Sequence, residues 1–258
     1  MNTFNSFKTY AMKEIIEGMR TKKFLVLAIG VLFFAISDPI MLKLLPEVLR
    51  NQMQGADLSM LLELSQKAAL ESYTNNLFQL STLIVVLSMM GIISKERSDQ
   101  TLTIPLSMGC SIKGIVLAKL LVYGMFLLLI NVIGMLIAYY YSGIIFGFTY
   151  GRLLAAVVSG ALYGVFFVFV LSFLILASSF FKKSFLPVTI TMLFVYLMPL
   201  TGYFKDLERY LPVNLLTEAN YFTDYLSKNM LVPLICTISL TAIFNIMSVF
   251  KLERVEFV

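Results

Sequence analysis

The chain of 258 residues has no histidine, no tryptophan and only two cysteines. Without histidine it has no His-dependent catalytic triad, HExxH zinc site or histidine-ligated haem. It contains no GxxxxGK[ST] motif and no Gly-Lys pair, so it has no P-loop and would need a partner to hydrolyse ATP. Cys110 and Cys236 are too few for a disulfide framework and are expected to be ordinary packing residues.

Charged residues are also scarce, at 14% of the chain, whereas 59% of residues are hydrophobic and the mean hydropathy is +0.87. Soluble domains carry about a quarter charged residues, so the composition indicates an integral membrane protein. Helical spans are the default expectation, because lipid cannot hydrogen-bond an exposed backbone. The predicted fold class is therefore an all-α integral membrane protein forming one domain over 1–258.

Residues 1–23 predict an amphipathic helix that lies at the membrane surface and leads into the first span. Its polar side carries Lys13, Glu17 and Arg20, and its apolar side is formed by Phe4, Phe7, Ala11, Ile15 and Met19. A secretory signal is the competing interpretation. It is disfavoured because the apolar run follows a long amphipathic helix and no A-x-A-like site comes after it.

Six apolar stretches approach the roughly 20 residues that cross a bilayer. The predicted spans are 24–45, 76–94, 115–141, 152–181, 184–204 and 230–250. Segments 46–75 and 205–229 are predicted to be extracellular, with helical spacing in Leu58–Leu70 and Leu207–Tyr225, and 251–258 is predicted to be a cytoplasmic tail. Asp38, directly before Pro39, is expected to break the first span near its outer interface.

Basic residues set the predicted orientation. With both termini in the cytoplasm, 13 of the 20 lysines and arginines lie inside. These are Lys8, Lys13, Arg20, Lys22, Lys23, Lys95, Arg97, Lys113, Lys119, Lys182, Lys183, Lys251 and Arg254. The expected location is the cell membrane, multi-pass. Because the basic residues follow the topology, the net charge of +5 is explained by the membrane surface and does not call for nucleic acid.

A polar island runs from Ser94 to Lys119 between two apolar spans, with 95–114 as its elbow. Glu96–Arg97 precedes Thr101–Leu102, Pro105 follows, and Ser111 is placed to cap the next helix. An apolar face is expected from Leu102, Ile104, Leu106 and Met108. The alternative is a solvated, positive-inside loop.

This order resembles the second span, cytoplasmic elbow and third span of the permease subunits of type-2 ABC transporters (the ABC-2 family). The stretch KEIIEGMRTKKFLV is similar to the entry helix of that family, and Gln100 stands where the family usually has glycine. The resemblance implies a short coupling helix that presses on a separate ATPase. The implied ATPase-coupling residues are Glu96, Arg97, Thr101, Leu102, Ile104, Pro105 and Leu106.

The resemblance further implies two cytoplasmic ABC ATPase subunits that bind ATP and Mg, and a second permease subunit, identical or not. This chain would bind no cofactor or metal and would have no catalytic residue of its own. The implied function is outward movement of a peptide, drug-like or lipidic substrate.

Ala156, Gly160 and Gly164 form a small-xxx-small ridge in the fourth span. Such a ridge allows close helix packing. It is interpreted either as a dimer or gate seam or, preferably, as packing within the chain.

Polar residues inside the predicted spans are sparse, and no buried lysine–carboxylate set is evident in the sequence. A secondary carrier would need an intramembrane ion site and often an internal repeat, so it is the disfavoured alternative. An intramembrane enzyme is disfavoured by the missing histidine and acidic pairs. A membrane assembly factor stays open.

Overall fold

The structure, a computed structural model, describes residues 3–52, 64–203, 209–223, 225 and 228–254. Within these ranges every regular element is helical. The α-helices are α1 (Thr3–Arg20), α2 (Lys23–Gln52), α3 (Gln66–Asn76), α4 (Thr82–Ser88), α5 (Ser94–Ser98), α6 (Thr103–Ser107), α7 (Ile112–Phe146), α8 (Leu153–Phe180), α9 (Phe185–Leu197), α10 (Pro212–Ala219) and α11 (Lys228–Glu253). A π-helical turn, Leu77–Ser81, joins α3 to α4, and a 3₁₀ segment, Met198–Tyr203, follows α9.

Four of the described helices are long and apolar enough to cross a membrane. They are Lys23–Val48, Ile112–Phe146, Leu153–Phe180 and Asn229–Glu253, and Phe185–Thr201 is a shorter apolar helix. The predicted all-helical, membrane-embedded character is thus supported by helix length and composition.

Helix α2 does not end where the sequence indicates. It continues past the predicted boundary at Leu45 to Gln52, with Pro39 and Pro46 inside it. Each proline removes one N–H from the helical ladder, and the backbone stays helical through both. The expectation that Asp38–Pro39 breaks the span near its end is therefore wrong, because Asp38 lies at the middle of α2.

The next helical run begins earlier than predicted. Ser65 caps α3 by accepting a hydrogen bond from the Ala68 N–H, and the backbone stays helical through Asn76, the π turn and α4. Part of the predicted extracellular segment 46–75 is thus the first half of this helix. Of the predicted Leu58–Leu70 helix, only residues from Leu64 onward fall within the described chain.

One end of the bundle is closed by the connection between α7 and α8. The Gln66 side chain accepts hydrogen bonds from the Thr149 and Tyr150 N–H groups and donates to the Tyr139 carbonyl. Tyr163 donates to Asn220, just after α10, within the segment predicted as 205–229. We call this the hairpin end.

The opposite end carries α5 and α6, and we call it the elbow end. Ser94 donates to Ser184 at the start of α9, and Arg97 donates to the Ser179 carbonyl in the last turn of α8. The Lys251 ammonium of α11 lies 5.1 Å from the Phe180 ring centre. The two described chain termini, in α1 and α11, both reach this end, because α1 also packs beside the start of α7 at Gly114.

The small-residue ridge of α8 faces α7 of the same chain. A Cβ atom at Gly160 would lie 2.8 Å from the Val132 Cα, and one at Gly164 would lie 2.8 Å from the Leu128 Cα. Ala156 is fully buried. The ridge is therefore filled by α7 and is not open to a second copy of the chain, which corrects the dimer-seam alternative.

We predict that Gly160→Ala lowers the free energy of unfolding by about 1–3 kcal/mol, because the new methyl group must push backbone apart in a tightly packed seam. The measurement is unfolding of the purified chain in mixed micelles. Gly124→Ala is the matched control, since its Cβ would meet only Val168 at 3.4 Å and alanine favours the helix. Equal losses for both variants would contradict this account of the seam.

Candidate functional site: a charge cluster beneath the elbow

Helix α1 packs on the elbow end through a row of small and polar residues. The buried residues of α1 are Ser6, Tyr10, Glu14 and Gly18, spaced four apart so that they share one face. Part of the predicted apolar face points away from the protein, with Phe4 72% exposed and Met19 65% exposed. Phe7 and Ala11 of that face are half-buried and pack against the cluster around Tyr10 and Leu102. An exposed apolar face beside an anchored polar row suits a helix that lies in the membrane interface.

The contact between α1 and α7 is close because α7 has glycine there. A Cβ at Gly114 would lie 2.9 Å from the Phe7 nitrogen and from the Thr3 carbonyl oxygen. Ser6 Oγ accepts a hydrogen bond of 3.0 Å from the N–H of Ser111. Ser111 is the N-cap residue of α7, as predicted, but its own side chain makes no capping bond.

Four charged side chains form a closed ring between α1, α5 and α7. Lys119 Nζ lies 2.7 Å from Glu14 Oε1 and 3.0 Å from Glu96 Oε2. Lys13 Nζ lies 3.0 Å from the same Glu14 oxygen and contacts Glu96 Oε1. Each ammonium thus meets two carboxylates and each carboxylate meets two ammoniums.

The ring is buried on one side. The side chains of Glu14 and Lys119 are 1% and 2% exposed, and that of Glu96 is 13% exposed. Charges this deep are tolerated only when they are well paired, since desolvation of each ion costs several kcal/mol. Sequence analysis found no lysine–carboxylate set inside the predicted spans; this set is assembled at the elbow end, with both of its glutamates outside those spans.

Further groups extend the ring towards the surface. Glu17 pairs with Lys13 at 2.9 Å and with Lys23 at 3.2 Å. Partial burial would raise the pKa of Glu17, but the hydrogen bond and charge of Lys13, helped by Lys23, lower it to about 2.

The Tyr10 ring lies under both ring lysines, with its centre 4.8 Å from Lys13 Nζ and 5.7 Å from Lys119 Nζ. Burial is the main cause that raises the pKa of Tyr10 above its ordinary value, with the Glu96 charge second.

Three carboxylates of this cluster, Glu14, Glu17 and Glu96, have oxygens within 4.8 Å of one another. Such spacing could suit a metal ion, but each carboxylate contacts a lysine ammonium. The lysines supply the positive charge that a cation would bring.

A cleft of about 500 Å³ opens beside the cluster, lined by Lys13, Lys23, Lys95 and Pro105 among others.

Arg97 has a different partner from Glu96. It donates to the Ser179 carbonyl at the end of α8, one of the acceptors that a helix C-terminus leaves unpaired, and its charge suits the negative end of the helix dipole. Adjacent elbow residues therefore contact different helices: Glu96 contacts α1 and α7, and Arg97 contacts α8.

The predicted apolar face of the elbow is divided between two sides. Leu102 is 3% exposed and packs with Tyr10, Ile115 and Ala118, and Leu106 packs partly on the same cluster. Ile104 and Met108 are 68% and 73% exposed. The expectation of one four-residue apolar face is wrong. Instead, the elbow has a buried base and an exposed apolar tip.

The remaining predicted coupling residues shape the turn between α5 and α6. Thr101 donates from its N–H and its hydroxyl to the Glu96 carbonyl, at 3.0 and 3.3 Å. Thr101 and Pro105 also line the cleft. Gln100 has φ 55°, a conformation that glycine adopts without penalty and other residues rarely adopt.

Sequence analysis missed Glu14 and the roles of Lys13 and Lys119. The available signal was the four-residue row of Ser6, Tyr10, Glu14 and Gly18, in which a carboxylate alternates with small and aromatic residues. Its partners are distant in sequence, so the pairing itself required the fold.

Comparisons with known proteins do not assign the chain to a group. No family model matches it, and neither the curated proteins nor the solved structures contain a match.

We predict that Glu14 and Lys119 are energetically coupled. A double-mutant cycle with Glu14→Gln and Lys119→Met should give a coupling free energy above about 1 kcal/mol, and either single change should destabilise the chain by about 3 kcal/mol, because it leaves a buried charge short of a partner. The measurement is unfolding of the purified chain in micelles.

The matched control is the exposed pair of Lys67 and Glu71, 3.6 Å apart in α3. Its cycle should give about 0.3–0.5 kcal/mol, as for other exposed helix pairs. A coupling in the buried pair no larger than in this control would show that the ring does not hold α1 to α7.

Proposed function

We propose that this chain is the membrane-spanning permease subunit of an ATP-driven exporter of the type-2 ABC class, and that it receives mechanical work through the elbow. The observation that carries the proposal is the division of the elbow into a fixed base and an exposed apolar tip. Glu96, Arg97 and Leu102 hold the base, and Ile104 and Met108 project from it. A solvated loop has no need of either feature.

Six crossings of the membrane are part of the proposal. Four helices meet the length and hydropathy required of a span. The continuous run from Gln66 to Ser88 is about 34 Å long, and α9 with its 3₁₀ extension about 31 Å, each close to the roughly 30 Å thickness of the hydrocarbon core. Contacts at the hairpin and elbow ends are consistent with successive crossings in opposite directions.

The elbow end is assigned to the cytoplasm. Lys95, Arg97, Lys113, Lys182 and Lys183 lie in the elbow or at the neighbouring helix ends, as the positive-inside rule requires of cytoplasmic connections. The described termini reach the same end, so the proposal places both in the cytoplasm of a cell-membrane protein.

Force on the tip would reach three helices through different contacts. Glu96 would pull on Lys119 of α7 and on Lys13 of α1, and Arg97 would pull on the end of α8. Because α7 and α8 pack closely at Gly160 and Gly164, they would tilt as one body. Such a rigid-body rotation is a known way to open a pathway.

The partners follow from the proposal. ATP and Mg would be bound by two cytoplasmic ABC ATPase subunits, whose surface must offer an apolar groove for Ile104 and Met108. A second permease subunit, identical or different, would complete the pathway. The ridge of Ala156, Gly160 and Gly164 faces α7, so the partner permease would use another face. The cargo would be peptide, drug-like or lipidic.

A second candidate is a carrier driven by an ion gradient, because the chain does contain a buried lysine–carboxylate set. The position of this set does not suit a coupling-ion site. Lys119 lies about 10 Å from the start of α7, a helix about 52 Å long, whereas carriers bind their coupling ions near the midplane. A membrane assembly factor is the third candidate, and the experiment below separates it from the first.

We predict that the tagged chain, purified from membranes of its native cell, brings with it a P-loop ATPase and measurable ATP turnover. The double variant Ile104→Glu/Met108→Glu should lose at least about nine-tenths of this turnover, since two charges on the tip cannot enter an apolar groove. Glu96→Lys should retain the ATPase but uncouple its turnover from transport.

Phe148→Glu is the control for the tip, being an apolar residue 57% exposed at the hairpin end. Asp99→Lys is the control for the base, because Asp99 is exposed and makes no ion pair with described residues. Absence of any ATPase with the unmodified chain, or equal turnover with the tip variant, would overturn the proposal.

A further inference from the structure

Asp38 and its hydrogen-bond partner Asn76 each lie near the middle of a long helical segment. In α2, about 45 Å long, Asp38 lies about 22 Å from the first residue. Its hydrogen-bond partner Asn76 lies about 15 Å from the start of the helical run Gln66–Ser88, itself about 34 Å long. Asp38 is 7% exposed. A charged group at such a depth is rare and is a candidate functional group by default.

Among the described side chains, no cation pairs with this carboxylate. Asn76 Nδ2 donates to both carboxylate oxygens of Asp38, each at 2.9 Å, and none of the ion pairs among the described residues includes Asp38. A buried carboxylate with only a neutral partner carries a large desolvation cost. Uptake of a proton removes that cost.

Other charged or titratable groups on the surrounding helices were considered one helix at a time. In α3, Tyr73 lies three residues before Asn76 and interacts electrostatically with Asp38. Its buried hydroxyl makes no hydrogen bond with a described residue. The π turn and α4 contain no titratable residue. The ionisable groups of α1 that are buried belong to the elbow-end ring.

In α7, Lys113, Lys119 and Tyr123 lie towards the elbow end and Tyr139–Tyr141 towards the hairpin end. In α2 itself, Lys23 pairs with Glu17, and Lys43 and Glu47 are exposed. Among the described side chains, Tyr73 is thus the titratable neighbour of Asp38.

Both helices are irregular at this pair. Pro39 directly follows Asp38 and frees one carbonyl of α2 from its ladder bond, and the π turn Leu77–Ser81 directly follows Asn76. π turns inside helices occur often at functional sites, and ion sites in membrane proteins are commonly built where helices are interrupted.

We propose that Asp38 is a proton-binding site that takes up a proton from water and releases it. Asn76 hydrogen-bonds to Asp38 both when Asp38 is charged and when it is protonated. The Asn76 N–H donates to the carboxylate. When the amide turns over, its oxygen accepts from the carboxylic acid, since asparagine offers both a donor and an acceptor. A metal ion fits less well, because the Asn76 N–H faces both oxygens that would bind it. The site would make the contact between α2 and α3 sensitive to protons, with or without an ATPase partner.

The test is pH-difference infrared spectroscopy of the purified full chain in lipid nanodiscs, which separates the stretch of a protonated carboxyl group from that of a carboxylate. The unmodified chain should show a titrating carboxyl band that is lost in Asp38→Asn. Glu47→Gln, which removes an exposed carboxylate from the same helix, should keep it. Asn76→Leu should raise the proton affinity at least about tenfold, because a donor to the charged form is lost.

Persistence of the band in Asp38→Asn overturns the proposal. A midpoint pH that shifts when the titration is repeated at another sodium or potassium concentration also overturns it, because that would indicate a metal-ion site. If Asp38→Asn fails to fold, the shift in Asn76→Leu decides, since that variant keeps the carboxylate. An unshifted midpoint there overturns the role of Asn76 and with it the site. The measurement uses no ATPase, so its failure would leave the proposed transport function intact.

Discussion

The structure at the elbow end depends on a constraint of charge: Glu14 and Lys119 have been taken out of water and are stable there only in a ring with Lys13 and Glu96, which lie nearer the surface. Glu14 and Lys119 are almost fully buried, and their partners Lys13 and Glu96 come from the neighbouring elements. In a region of low dielectric constant, separation of any one of them leaves a charge without compensation. Helices α1, α5 and α7 must therefore keep their arrangement or pay the desolvation cost of an unpaired ion.

This constraint gives the elbow an unusual combination of rigidity and exposure. Two single-turn helices would not be stable alone, yet they are held by the ring at Glu96, by Arg97 on the end of α8 and by the packing of Leu102. Their outer side keeps Ile104 and Met108 in the open. Under the proposed function, a surface of this kind would receive a push without yielding, and the close seam between α7 and α8 would carry the displacement further into the bundle.

Hydropathy predicted the long apolar helices well, because a long apolar run is helical whether lipid or neighbouring helices cover it: α8, which is mostly covered by other helices, was expected over 152–181 and is found at Leu153–Phe180. Prediction from sequence failed where tertiary contacts determine the structure. The polar start of α3 is helical because Gln66 and Tyr73 pack against other helices. The elbow face was misjudged because Leu102, Ile104 and Leu106 alternate with the period of a strand, whereas in a helix positions 102 and 106 lie together and 104 lies opposite. The charge ring could not be found from spacing, since Glu14 and Lys119 are distant in sequence.

The central claim is that the elbow, with its ring of paired charges, faces the cytoplasm and the hairpin end faces outward. It is tested most directly by labelling single cysteines with a membrane-impermeant thiol reagent on intact cells, in a chain carrying Cys110→Ser and Cys236→Ala. Ile104→Cys places the thiol on the exposed tip, and Thr149→Cys places it at the exposed hairpin end. The account predicts that Thr149→Cys is labelled on intact cells and Ile104→Cys only after permeabilisation. Labelling of Ile104→Cys on intact cells would contradict it.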